Sequence, residues 1–171
     1  MRPLLHRRRP FVRALGAGAL LAIPGARLLA AVGDAAPDLA LQTDAGPLRL
    51  ADQRGKVVYL DFWASWCGPC KHSFPWMNDM QSRYGAKGLQ VLAVNLDAKT
   101  ADAKRFLSEN SAQFKVAFDS AGDSAKRFAI KGMPSSVLIG ADGRVLATHA
   151  GFRDADREPL EAAIRDALAR K

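Results

Sequence analysis

Val57-Val58-Tyr59-Leu60-Asp61-Phe62-Trp63-Ala64-Ser65-Trp66-Cys67-Gly68-Pro69-Cys70-Lys71 is the stretch that decides the fold. Its first eight residues form an apolar, β-branched and aromatic run, the pattern of a strand buried on both faces of a parallel sheet. The run passes into two cysteines separated by Gly68-Pro69, where a strand–turn–helix transition fits. These are the only cysteines in 171 residues. At the start of a helix the first sulfur would meet unpaired backbone N–H groups and the positive end of the dipole. Its pKa then falls from about 8.5 toward neutrality or below. A low-pKa thiolate beside a resolving partner is the minimum equipment for thiol–disulfide exchange.

Two plainer readings compete. A structural disulfide more usually joins distant segments, because closing a short loop removes little entropy from the unfolded chain. A zinc site needs two further soft or imidazole ligands. The three histidines are His6, His72 and His149, the first of them in a basic leader. Redox chemistry is the better reading of the motif with its flanks.

Asp61-Phe62-Trp63-Ala64, then Trp66-Cys67-Gly68-Pro69-Cys70-Lys71, then Pro75, together resemble the active site of thioredoxins. The resemblance implies that Cys67 is an exposed attacking thiol and Cys70 a buried resolving one. Asp61 falls where thioredoxins keep a buried carboxylate, and Pro75 where their long helix kinks. Asp61 also has a physical argument of its own. Burial inside an apolar strand raises a carboxyl pKa toward the working pH, which suits it to take the proton of Cys70. The alternative is a lone buried acid satisfied by a hydrogen bond.

Gly132-Met133-Pro134-Ser135-Ser136-Val137-Leu138-Ile139 places a proline at the entry to a buried strand, a position any sheet tolerates. The resemblance implies more: a cis Met133–Pro134 bond packed against the disulfide, with the backbone of Met133 offered to an extended target segment. Trp63 and Trp66 are expected near the disulfide, with Trp66 shielding the sulfur and contacting target. Trp76 reads as helix packing or surface and His72 as surface. His149 lies at a strand end with no partner that the sequence names.

Residues 1–33 hold Arg2, Arg7, Arg8, Arg9, Arg13 and Arg27 and no acid, followed by an Ala/Leu/Gly-rich stretch broken by Pro24. This is the plan of an export signal, too short and too broken for a convincing membrane span. Ala31-Val32-Gly33 suits cleavage before Asp34; cleavage after Ala30 or Ala31, or retention as an anchor, are the alternatives. Arg8-Arg9-Pro10-Phe11-Val12-Arg13 resembles a twin-arginine motif, against the alternative of an ordinary basic n-region. Without the leader, 19 Lys+Arg face 17 Asp+Glu, so the +8 charge of the whole chain is mostly the signal's. No nucleic-acid partner follows from it.

Residues 34–171 suffice for one domain. The pattern predicts an edge hairpin (Leu39–Gln42 with Pro47–Leu50), a strand to Ala64, a helix from Pro69 to Tyr84 and a strand over Leu89–Leu96. Thr100 is expected to cap a helix to Asn110, before a strand at Lys115–Phe118 and a helix over Ser120–Ile130. Val137–Ile139 and Val145–Thr148 flank the turn signal Asp142-Gly143, and Asp156–Ala169 forms the last helix. The class is α/β: a central mixed sheet flanked by helices, with an N-terminal hairpin and a central strand–helix insertion.

The hairpin and insertion, with Phe74-Pro75-Trp76-Met77 and Leu89-Gln90-Val91-Leu92-Ala93-Val94-Asn95, resemble the TlpA/ResA group of exported thiol–disulfide proteins with a thioredoxin fold. The group implies an extracytoplasmic reductant of protein disulfides, serving cytochrome c maturation, oxidase assembly or related thiol targets, and a monomer is expected. A membrane-bound electron donor would restore the dithiol. Two departures stand out: Ser73 where many members have glutamate, and Asp61 where many have asparagine. Gly68-Pro69 is the thioredoxin dipeptide and implies a reducing poise, roughly the −270 mV of thioredoxin. No metal, nucleotide or flavin site is visible, so no cofactor is expected. The rival class is a thiol-based metal-handling or chaperone module without turnover. A peroxidase is disfavoured because its usual Thr- and Pro-preceded cysteine motif is absent.

Overall fold

The structure is a computed structural model and describes residues 31–171. The expected arginine-rich signal and its apolar run therefore lie outside the described residues. Among the described residues no helix is long and apolar enough to cross a membrane.

The strands are β1 (Ala40–Thr43), β2 (Gly46–Arg49), β3 (Val57–Trp63), β4 (Leu89–Asn95), β5 (Lys115–Phe118), β6 (Ser135–Ile139) and β7 (Val145–Ala150). The helices are α1 (Gly68–Tyr84), α2 (Thr100–Glu109), α3 (Asp123–Arg127) and α4 (Arg157–Ala169). The seven strands form one mixed sheet in the order β2-β1-β5-β4-β3-β6-β7. β3 runs parallel to β4 and antiparallel to β6, so it is an interior strand of the sheet, next to the central β4. Every residue of β3 and of β4 is buried, which is why both read as continuous apolar runs rather than alternating ones.

Alternation along β3 divides the core in two. Val57, Tyr59 and Trp63 face a layer built from α1, α2 and α4, which includes Phe74, Met77, Met80, Phe106 and Ile164. Val58, Leu60 and Phe62 face Leu39, Leu41, Leu48 and Leu50 of the N-terminal segment, with Phe128 beyond them. The first layer is dominated by rings: Trp63, Phe74 and Phe106 meet at centroid distances of 5.0, 4.9 and 5.1 Å. Trp63–Phe74 and Phe74–Phe106 are edge-to-face, a geometry that adds about 0.5–1.5 kcal/mol per pair beyond the area buried. Trp76, expected in packing or at the surface, is buried against Tyr59 and Phe152.

The N-terminal hairpin forms as expected, with β2 as the edge and β1 joined antiparallel to β5. Thr43 fixes its turn by donating Oγ1 to the Gly46 carbonyl at 2.7 Å, while Gly46 takes φ +110°. The insertion is α2 with β5, and β5 extends the parallel part of the sheet beside β4.

Two expectations need correction. The helix expected over Ser120–Ile130 shrinks to the five residues of α3. Gly122 precedes it at φ +69°, the Asp119 carboxylate takes the N–H and hydroxyl of Ser124, and Ala129 at φ +54° closes its far end. Apolar spacing alone did not reveal these two left-handed residues. Thr100 does not cap α2: Lys99 is the N-cap and supplies no side-chain bond, so Thr100 lies inside the first turn.

Candidate active site

Asp97 holds the loop between β3 and α1 from beneath. It follows β4 at the carboxyl end of the parallel strands, the edge where α/β sheets place their sites. Its buried carboxylate accepts from the Ser65 N–H at 3.0 Å, the Ser65 hydroxyl at 3.1 Å and the Asn95 side-chain amide at 2.8 Å. Asn95 in turn accepts from the Asp97 N–H at 3.0 Å, and the Leu96 N–H donates to the Trp63 carbonyl at 2.9 Å. Sequence reading passed over Asn95 and Asp97, although a polar pair ending an apolar strand was the available signal.

On that support Cys67 takes the N-cap position of α1, with extended φ −85° and ψ 103°. Its Sγ accepts from the Cys70 N–H at 3.3 Å, and Pro69, which has no N–H, fits the first turn. The two cysteines are joined in a disulfide. Cys67 was expected to be exposed. It is instead 5% exposed, against 0% for Cys70, because as the cap its sulfur turns inward over the first helical turn. The asymmetry has the expected sense but is small. Trp66 stands beside it at 73% exposure, so its indole lies in solvent rather than in the core. Ser73, in place of the glutamate common in the group it resembles, is buried and donates Oγ to the Cys70 carbonyl at 2.9 Å.

Asp61 sits in β3 at 2% exposure, facing the layer that contains α1. Its Oδ2 is buried without a hydrogen-bond partner. Loss of hydration pushes its carboxyl pKa well above the ordinary value. Oδ2 thus lacks the hydrogen bond that the plainer reading of Asp61 expected.

Met133–Pro134 is cis, and it opens β6. Its turn is tied by Ser135 Oγ donating to the Gly132 carbonyl at 2.7 Å and by the Gly151 N–H donating to the Pro134 carbonyl at 2.8 Å. A groove of about 520 Å³ runs past it, lined by Ile130, Lys131, Met133, Pro134 and His149. A larger cavity of about 670 Å³ lies elsewhere, between the N-terminal hairpin and the α2–β5 segment, and includes neither cysteine. His72 is exposed as expected. His149, for which the sequence named no partner, brings its buried Nε2 to 3.5 Å from Asp156 Oδ2 without making a hydrogen bond.

A disulfide-bonded cysteine pair at a helix start, with a cis proline opening the strand next to β3 in a mixed sheet, defines a thioredoxin-like thiol–disulfide oxidoreductase. The chain belongs to the Redoxin family, whose model matches residues 31–164. It is 36% identical over 140 residues to the thiol-disulfide oxidoreductase ResA of Oceanobacillus iheyensis, covering 79% of this chain and 72% of that one. The Bacillus thuringiensis ResA is 32% identical over 135 residues, covering 78% and 77%. Among solved structures, a Chlorobium tepidum protein assigned as the thiol:disulfide interchange protein DsbE is 57% identical. It superimposes at a TM-score of 0.80 over 81% of this chain and 99% of its own. The StoA structure from Bacillus subtilis, at 24% identity and a TM-score of 0.64, shares the fold. The chain is therefore a TlpA/ResA-type thiol–disulfide oxidoreductase acting on protein thiols.

Proposed function

We propose that this oxidoreductase works outside the cytoplasm as a reductant of disulfides in target proteins, with Cys67 as nucleophile and Cys70 as resolving thiol. The observation that carries the reading is the position of Cys67 as the cap of α1, less buried than Cys70 and already accepting a helix N–H at sulfur. A thiolate at that atom keeps the same bond and gains the favourable end of the dipole. Reduced Cys67 attacks a target disulfide, forming Cys67–S–S–target and releasing one target thiolate. Cys70 then attacks Cys67 Sγ, the internal disulfide closes, and the second target sulfur leaves as thiolate. The two electrons pass from the dithiol to the target.

Asp61 takes the Cys70 proton in the second step. Its high pKa and unbonded oxygen support that role, and it faces the layer in which Cys70 is buried. Trp66, Met133 and Pro134 form the target-contact surface: an exposed indole on one side and the cis-proline groove on the other.

Residues 1–33 act as an export signal on the twin-arginine route, leaving 34–171 as a monomeric catalytic domain, released or anchored. The targets are thiols of cytochrome c or oxidase assembly, and a membrane-bound donor regenerates the dithiol. These assignments rest on the arginine pair and on resemblance to the TlpA/ResA group. Insulin reduction by the chemically reduced protein tests the activity. Turnover that vanishes in both Cys67→Ser and Cys70→Ser supports it, and metal binding by the reduced protein without turnover would replace it with the metal-handling reading.

A further inference from the structure

Asp61 has no direct access to water, so a proton it takes from Cys70 must travel. On the β4 side its register partner is Ala93, and β4 carries no charged or titratable side chain. On the β6 side its partner is Ser136, and Ser136 in turn pairs with His149 on β7. Both pairings are antiparallel, and the three residues share the sheet face covered by α1 and α4. Directly opposed residues bring their Cβ atoms to about 4.5–5.5 Å. A row of three polar side chains thus crosses an otherwise apolar layer, from the centre of the sheet to its edge strand.

The row has polar company at both ends. Tyr59, two residues before Asp61 on the same face, shares a side-chain hydrogen bond with Ser136. A cavity of about 20 Å³ lies between Tyr59, Ser136, Thr148, His149 and Leu160, room for one water. At the outer end the half-buried His149 meets Asp156, whose carboxylate is fixed by the Arg153 N–H at 2.8 Å and by its guanidinium at 3.2 Å. Cys67 at the N-cap of α1, and Cys70 and Tyr84 on α1, the last bonded to Glu161, are the other titratable groups buried in this layer.

We propose that Ser136 and His149 are positioning residues that carry the Asp61 proton between the buried thiol and solvent. The proposal rests on the reading of Asp61 as proton acceptor for Cys70. As Cys70 attacks, its proton moves to Asp61 and the target sulfur departs as thiolate. Asp61 then gives a proton to the Ser136 oxygen as that hydroxyl releases its own to the imidazole of His149. The imidazolium, balanced by Asp156, yields it to water. In regeneration the same row runs inward and supplies the proton that Cys70 needs as it is released.

The test is single-turnover oxidation of the reduced full-length protein by a disulfide-containing peptide, followed by Trp fluorescence from about pH 6 to about pH 9. Attack by Cys67 depends on peptide concentration, and resolution by Cys70 does not. Ser136→Ala and His149→Ala should slow resolution on the order of ten-fold, well beyond any change in attack that follows from their place in the cis-proline groove. Added imidazole should restore His149→Ala in proportion to its concentration, and Ser136→Thr should retain the wild-type rate. Slowing of Asp61→Asn alone, with both row variants at wild-type speed, would overturn the row and leave Asp61 its role. An unaffected Asp61→Asn would overturn the reading of Asp61 itself. Loss of both phases together, or slowing without imidazole rescue, would mark a packing defect and also overturn the row. Should Ser136→Ala not fold, the His149 variant on the edge strand decides alone.

Discussion

Asp61 sets the energetics of the site at the residue scale. Its neighbours in β3 are fully apolar, and its Oδ2 has no partner to offset the loss of water. The folded-state pKa therefore lies above the unfolded one, and between the two values the folded protein holds a proton that the unfolded chain has released. Stability must then fall as pH rises through that interval and level off once the folded-state pKa is passed. Asp61→Asn removes the titration. The variant should be more stable than the parent at neutral pH, by roughly 1–3 kcal/mol, with the gain shrinking as pH drops toward the ordinary carboxylate range. Urea melts at several pH values measure this directly; a gain that grew toward acid would contradict it. The same substitution should slow resolution of the mixed disulfide at neutral pH and affect attack by Cys67 less.

At the scale of elements, catalysis depends on where α1 begins. Its start is held by the Asp97 network below and its body by Phe74, packed between Trp63, Phe106 and Phe114 at 5.0, 5.1 and 5.3 Å. Asp97→Asn replaces an acceptor-only group by one whose amide faces the donors of Ser65 and Asn95. This should cost about 1–3 kcal/mol and loosen the loop that presents Trp66 and Cys67. Slower alkylation of Cys67 together with a lower urea midpoint would show both effects; an unchanged midpoint would remove the network from the account. Phe74→Ala should cost about 3–5 kcal/mol by opening a cavity in the ring layer, again read by denaturation.

These elements also show what the sequence could and could not reveal. β3, α1 and the Asp142-Gly143 hairpin were legible because burial on two faces, helix spacing and turn chemistry each leave a local pattern. So was the cysteine pair. α3 was not, because two left-handed residues cut a helical apolar spacing short. The Asp97 bonds and the Asp61–Ser136–His149 row were illegible for a different reason. They depend on strand order and register, which set Asp61 opposite Ser136, 75 positions away, and Ser65 beside Asp97, 32 positions away, and no short window of sequence contains that information.

For the whole molecule, six of the eight excess positive charges belong to the first 33 residues, which the proposed reading assigns to export and separates from the catalytic domain. Arg8→Lys with Arg9→Lys preserves charge while removing the twin arginines. Extracytoplasmic protein should fall sharply if that route is used, with the activity of the purified domain unchanged. Normal export of the variant would assign the leader to the general secretory route. The central claim concerns the two sulfurs themselves, and peptide mass mapping of trapped complexes tests it most directly. Reduced Cys70→Ser incubated with a disulfide-bonded target should accumulate a covalent adduct attached at Cys67, stable until an external thiol is added. Cys67→Ser should form little. An adduct that accumulates instead on Cys70 of the Cys67→Ser protein would contradict the assignment of nucleophile and resolving thiol.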